Sequence, residues 1–567
     1  MCGIFFSIVQ DGRDAFLAKP QLERIYDALR CRGPDCSNQV VVQLSEQCKL
    51  TFFSTVLSMR DPLTVQPLQS ATTSSVLQFN GEIYDVAGEL EGRGRDLLVD
   101  ETELDEAGCS TVCSSRNDTS VVMHLFEEFG VLKTVQCLRG EYAFVYYDAV
   151  ERCVWWARDC IGRRSLLMNQ TVPGELALSS VAPFDAELCK DWIEVPGGSV
   201  YKIDLSAVGM PVTSFPWRHA SDDLTDQPCL IYPYPEINPS VSVSDDDNSS
   251  FLSQFESSLH AAVKRRVLAI NQTAHSNYAV LFSGGIDCTV LTQILTTILH
   301  DHHTTIDLLN VAFENPRTGG GYATPDRLLG RRSFEELLGA PGFANAQCVL
   351  RFVEIDVPFA LVQEYKSQVA ELMYPKTSVM DFSIALAFFF AARGVGRVVA
   401  SSAATDADLD LAKEYSTPSR VLFSGLGADE LYAGYSRHTA GFRRQGYQSL
   451  AAELALDFGR LHERNLGRDD RVGACWGKEL RYPFLDEDFV NFSLSCPLNY
   501  KMRASNTTAD DGSITTSITG KYLIRQYARK VGLPQVAEES KRAIQFGARS
   551  AKMEVGTGKV KGTDTFK

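Results

Sequence analysis

Residues 278–295 read YAVLFSGGIDCTVLTQIL, and their order decides the fold of the second half of the chain. An apolar run at 278–282 ends in Ser283, Gly284 and Gly285, and a helix-forming run, TVLTQIL, starts at Thr289. Strand, glycine turn and helix in that order offer backbone N–H groups and the positive end of a helix to an anion. The spacing GxxxxGK[ST] is missing, so this is not the commonest phosphate loop. An ordinary strand–helix connection would carry the same glycines. Around this stretch, short apolar runs at 308–313, 349–355 and 421–423 alternate with helical runs at 289–299, 359–372 and 383–392. That alternation predicts a parallel sheet covered on both faces, an α/β domain over 251–547.

Upstream the pattern changes. Residues 1–215 hold β-branched and aromatic runs at 40–44, 75–79, 142–147 and 154–157, with helical runs at 21–29 and 119–129. This predicts an α+β domain of stacked antiparallel sheets. Between the halves, 216–250 carries Pro216, Pro228, Pro233, Pro235 and Pro239 and then SVSVSDDDNSS, and reads as a poorly packed linker. Residues 548–567 read as a loose polar tail.

The 567 residues carry 71 acidic and 55 basic side chains, a formal net charge of −16. Such a balance disfavours nucleic acid and anionic membrane as partners, without forbidding a local basic pocket. No run of about 20 apolar residues is present, and no basic segment precedes the first apolar one. The 15 cysteines lack zinc-like spacing. Reduced thiols in a cytoplasmic protein are the expectation.

The chain opens MCGIFF. Removal of Met1 would leave Cys2 with a thiol beside a free α-amine, whose ordinary pKa is about 8. One residue would then supply both nucleophile and base. Further along stand RGPD at 32–35, FNGEIY at 79–84, NDT at 117–119, LRGEYAFVYYD at 138–148 and RDCIGRRSLL at 158–167. In this order and spacing the series resembles the N-terminal-nucleophile glutamine amidotransferase domain. The resemblance implies that Cys2 attacks glutamine and that Asn80 and the Gly81 N–H stabilise the oxyanion. It also implies that Asp118, with Glu82 beside it, binds the substrate, Asp118 pairing with the α-ammonium. Taken singly, Asn80-Gly81 also suits a hairpin turn and Asp118 a helix N-terminus. The arginine that grips the glutamine carboxylate in that family falls on Val56 in STVLSMRD (54–61), with Arg60 out of register.

The turn at 283–288 resembles the SGGxDS loop of ATP pyrophosphatases, with Cys288 where serine is usual. FSGLGADELYAGYSRH at 423–438 resembles the second motif of asparagine synthetases, and GKELRYPFLD at 477–486 and SKRAIQFG at 540–547 match two more of their segments. LFSGGID, IDLLNVAF, LGADELYAGYSRH, RNLGRDDRV and PFLDE are similar to the divergent eukaryotic branch of the glutamine-hydrolysing asparagine synthetase family. The resemblance implies ATP held by Ser283, Gly284, Gly285, Asp287, Ser424 and Gly425. It implies Mg²⁺ on Asp287 and Asp429, and Lys541, with Arg542 as competitor, reaching the phosphates. Glutamine, aspartate and ATP would be the substrates. Where the family has a glutamate thought to assist attack by ammonia, this chain has Leu426, which accepts no proton; Glu430 is the nearby acid. Three readings stay open: asparagine synthesis, a binding or scaffold protein that has lost turnover, and a ligase for another acid.

Overall fold

The computed structural model describes residues 2–10, 15–92, 117–171, 174–183, 189–222, 227–242, 248–271, 274–319, 321–402, 413–508, 514–553 and 561–566. Met1 and the acidic run at 245–247 lie outside them.

The first half is two stacked sheets. Strand Gly3–Val9 lies inside a six-stranded antiparallel sheet, between Lys49–Val56 and Leu176–Ser179. All seven of its residues are buried, because both faces are covered. Alternate residues serve the two faces. Ile4, Phe6 and Ile8 meet Val145, Val154 and Trp156 of the second sheet. Phe5 turns the other way, edge-on to Tyr26 of helix Lys19–Arg32, whose ring stacks on Phe53. The second sheet has seven strands, with Val76–Val86 paired antiparallel to Leu138–Asp148.

Two expectations of loose chain fail. Val212–Arg218 runs into 216–250 and Leu230–Ile231 lies within it, and both are strands of the second sheet. Trp217, Leu230 and Tyr234 are buried, and Trp217, Tyr232 and Tyr234 stack in series. Aromatic burial outweighs the prolines there. In the tail, Met553 is buried, Phe566 stacks on Phe382 at 3.8 Å, and Thr565 bridges to Ser378.

The second half is built on a seven-stranded sheet in which five consecutive strands are parallel: Val349–Val357, Thr305–Phe313, Asn277–Leu281, Val421–Phe423 and Glu479–Arg481. The innermost of them are mostly apolar because helices cover both faces. Asn277–Leu281 pairs Thr305–Phe313 on one side and the later strand Val421–Phe423 on the other. The connections therefore diverge at this strand, and a crevice opens at its carboxyl end, where ligands of open α/β sheets bind. Within GKELRYPFLD, Glu479–Arg481 is the edge strand, and Asp486 caps helix Glu487–Ser495. Among the described residues no helix is long and apolar enough to cross a membrane.

Candidate active sites

The first site gathers around Cys2. A small cavity is lined by Cys2, Val56, Arg60, Gln66, Gly81, Glu82, Asp118 and Thr119, together with Glu479 from the second half. Its volume, about 20 Å³, holds roughly one water.

Asn80 and Gly81 sit in mid-strand opposite Ala143 and Tyr142, not at a hairpin turn. A Cβ on Gly81 would lie 2.1 Å from the Glu141 carbonyl oxygen, so close strand packing is what demands the glycine. Asn80 is fully buried, yet its Oδ1 and Nδ2 have no hydrogen-bond partner. Leaving such a group unpaired is costly, and a free amide N–H of this kind is able to donate to an oxyanion. Asp118 begins helix Asp118–Phe129 and accepts from the Ile83 N–H at 3.1 Å. Burial pushes the Cys2 thiol and the Asp118 carboxyl up from their ordinary values.

Arg60, out of register in the sequence, lines this cavity. Its Nε is 2.8 Å from Glu82 Oε2, and its Nη2 donates to the Ile83 carbonyl at 2.7 Å. Glu82 therefore meets Arg60 first. Gln66 gave no signal in the sequence beyond preceding Pro67. It accepts from the Phe79 N–H at 2.7 Å, donates to Thr119 Oγ1 at 3.2 Å and sits 3.8 Å from Cys2 Sγ.

The second site lies at the divergence point of the parallel sheet. Its cavity, about 380 Å³, is lined by Ser283, Gly285, Asp287, Ser424, Gly425, Leu426, Asp429, Glu430, Lys541 and Arg542 among others. The two motif turns meet because their strands pair, Tyr278 with Val421 and Val280 with Phe423. Gly284 adopts φ +80°, and a Cβ there would stand 2.5 Å from the Gly330 nitrogen. The turn feeds helix Ile286–Ile298, with Asp287 in its first turn. The Cys288 thiol donates to the Gly285 carbonyl at 3.2 Å, a bond that serine makes equally well.

Lysines knit the carboxylates together. Lys521 Nζ stands 2.5 Å from Asp287 and 2.6 Å from Asp429, and Lys541 Nζ is 2.5 Å from the other Asp429 oxygen. Burial works against both ends of the second pair. The two lysines nevertheless hold Asp429 well below the usual carboxylate range, and Asp429 and Asp287 raise Lys541. Lys521 is a residue the sequence did not disclose: it precedes an unremarkable helix, Tyr522–Lys530, and only tertiary closure brings it in. Asp326 was also missed. Burial pushes its carboxyl up to about 7, with Arg542 and Lys541 opposing. Asp287 Oδ1 is buried with no hydrogen-bond partner, a hard oxygen of the type Mg²⁺ takes, so Asp287 and Asp429 fit that ion.

Buried ion pairs join the two sites. Arg32 donates to the Cys2 carbonyl at 3.3 Å and pairs with Asp470 at 2.9 Å. Arg163 meets Glu487 at 2.5 Å, Arg266 meets Glu141 at 2.8 Å, and Arg481 lies 3.6 Å from Glu82. The arginines of RDCIGRRSLL and GKELRYPFLD thus serve the interface between the halves.

Known proteins match this two-site plan. Residues 1–188 match the model of the glutamine amidotransferase domain, and residues 443–559 match that of asparagine synthase. An asparagine synthetase domain-containing protein of Saccharomyces cerevisiae is 34% identical, over 96% of this chain and 91% of its own length. The chain belongs to the asparagine synthetase domain-containing protein family. The Gallus gallus member, asparagine synthetase domain-containing protein 1, is 31% identical over 93% of both chains. A putative glutamine-hydrolysing asparagine synthetase of Methanocaldococcus jannaschii is more distant, 25% identical over 86% of this chain and 80% of its own. Family membership makes the chain an asparagine synthetase-like protein with an amidotransferase half and a synthase half.

Proposed function

We propose that this chain makes asparagine from aspartate, with glutamine as nitrogen donor and ATP as activator, in the cytoplasm. The observation that carries the reading is the lysine-bridged carboxylate cluster at the foot of the SGGID turn. Four charged groups converge there on the cavity, and two helix-leading turns supply N–H groups.

In this reading the Cys2 thiol, freed of its proton by its own amine, attacks the glutamine amide carbon. The Asn80 Nδ2 and the Gly81 N–H meet the oxyanion, and Asp118 holds the α-ammonium. The break at Val56 leaves the α-carboxylate to Arg60, which must give up part of its grip on Glu82. In the second cavity the aspartate carboxylate attacks the α-phosphorus of ATP. The C–O–P bond forms and pyrophosphate leaves. Lys541 and Lys521 offset the charge that builds on the leaving group. Mg²⁺ on Asp287 and Asp429 would add positive charge and hold the phosphates in line. Ammonia then displaces AMP. Free ammonia is mostly ammonium in neutral water, so a route inside the shared interface serves it best.

A scaffold reading has one observation in its favour: Leu426 lines the cavity where related enzymes carry a carboxylate. Incubation of the purified protein with glutamine, ATP, Mg²⁺ and a panel of acids decides between them. Aspartate-dependent AMP release is the expected result. ATP binding with no AMP from any acid would leave the scaffold.

A further inference from the structure

This inference rests on the amide-forming reading above. Ammonia attack creates a positively charged nitrogen that must lose a proton, and Leu426 cannot take it. We infer that Asp469 is the catalytic residue that does.

Asp469 belongs to the segment RNLGRDDRV, which the reading so far leaves without a task. Its helix, Leu466–Ala474, is buried along its whole length, lines the synthase-half cavity and holds the arginine that contacts Cys2. On one side Asp470 accepts from Arg32, at 2.9 Å, and from the Ser165 N–H, at 3.1 Å, and Arg32 reaches the Cys2 carbonyl. One residue earlier, Asp469 lines the synthase-half cavity together with Leu426. Asp470, one arginine away from Cys2, and Asp469, in the second cavity, are thus neighbours on one helix.

The side chain is in a state to act. Asp469 is 1% exposed. Its Oδ1 accepts both Nε and Nη2 of Arg468 at 2.8 Å, while Oδ2 has no hydrogen-bond partner. An unpaired buried carboxylate oxygen is expensive unless something fills the position during the reaction. Arg468 is shared with Asp381 of helix Val379–Arg393 at 2.5 Å, so one guanidinium serves two carboxylates and negative charge is left over. Burial raises the Asp469 carboxyl, with Arg468 opposing, which favours proton uptake.

Of the other acids of the cavity, Asp287 and Asp429 hold lysines, Asp457 holds Arg437 at 2.6 Å, and Asp326 lies in the field of Arg542 and Lys541. Glu430 Oε1 accepts from the Tyr435 hydroxyl at 2.7 Å and from Asn465 at 3.4 Å.

The step balances. The ammonia lone pair forms the C–N bond and the carbonyl π pair moves to oxygen. A nitrogen-bound proton passes to Asp469 Oδ2. The oxygen pair then re-forms C=O, and AMP leaves with the electrons of the broken C–O bond.

The test uses the full-length protein and D469N, which keeps the size of the side chain and an acceptor for Arg468. Aspartate-dependent AMP–pyrophosphate chemistry, glutamate release, and amide formation from ammonium chloride and from hydroxylamine are measured separately. Loss of general-base help predicts ammonia-dependent amide formation down about 10²–10⁴-fold. ATP–pyrophosphate exchange and glutaminase activity should persist, showing the variant folds. Hydroxylamine gives a more acidic adduct that sheds its proton to water, so hydroxamate formation should survive. Amide formation at the wild-type rate in D469N overturns the inference, and so does an equal loss with ammonia and hydroxylamine. A wild type that forms AMP but no amide also overturns it, leaving the activation reading intact. A wild type that forms no AMP removes the activation reading and this inference with it.

Discussion

Lys521→Met probes the carboxylate cluster most sharply. Lys521 is 3% exposed in its side chain, and its ammonium touches Asp287 and Asp429, at 16% and 12% exposed. Removing one member of a buried ion pair costs about 3–5 kcal/mol, because the partner charge stays behind. Asp429 keeps Lys541, so most of the loss falls on Asp287. The freed carboxylates then attract Mg²⁺ more strongly than in the wild type. At a hundred times its Kd the ion returns about 2.7 kcal/mol by mass action. Thermal unfolding with and without Mg²⁺, in the absence of nucleotide, reads both effects. K521M should melt well below the wild type in chelator and regain much of the difference with Mg²⁺, whereas the wild type gains less. Equal melting in chelator, or an equal Mg²⁺ shift in both proteins, would refute the reasoning.

Other expectations concern both sites. Asn80→Ala removes the unpaired Nδ2 and should lower glutamine hydrolysis about 10²–10³-fold, leaving ammonia-dependent AMP release alone; steady-state assays with each nitrogen source check it. Gly81→Ala forces a Cβ against the Glu141 and Tyr142 backbone, so urea unfolding of the first half should shift by about 1–3 kcal/mol or more. Asp326, with its carboxyl raised to about 7, favours the folded state most below the ordinary aspartate value near 4. That contribution fades as pH rises through 7 and amounts to about 4 kcal/mol at most. Urea midpoints between pH 4 and 7 should therefore fall less in D326N than in wild type, and parallel profiles would remove Asp326 from the account.

The sequence showed the sheets of both halves and the SGGID turn because each is local. SGGID sits between a strand and a helix, so glycine placement discloses it; FNGEIY lies inside one strand, where its local reading as a hairpin turn fails and only its resemblance to a family motif singled it out. What it hid is made by distant packing. Lys521 meets Asp287 across 234 residues, and Arg32 meets Asp470 across 438. No window of sequence contains either pair. The arginines at 163, 164, 266 and 481 carry no sequence sign of where they end up, yet all four are fully buried between the halves. The 216–250 stretch misled in the opposite sense. Five prolines argued against strands, and the aromatic residues Trp217, Tyr232 and Tyr234 were the stronger signal. Arg60 shows a subtler limit: alignment to a pattern places residues along the chain, whereas a cavity is entered from any register that points inward.

The claim that one chain frees nitrogen at Cys2 and spends it at the lysine-bridged cluster is tested by following the atom itself. Glutamine labelled at its amide nitrogen, given with ATP, Mg²⁺ and aspartate in the presence of excess unlabelled ammonium, should yield asparagine carrying mostly the label. The Cys2→Ala protein should give only unlabelled product. Label that appears in the bulk ammonium pool and not in asparagine would contradict the account.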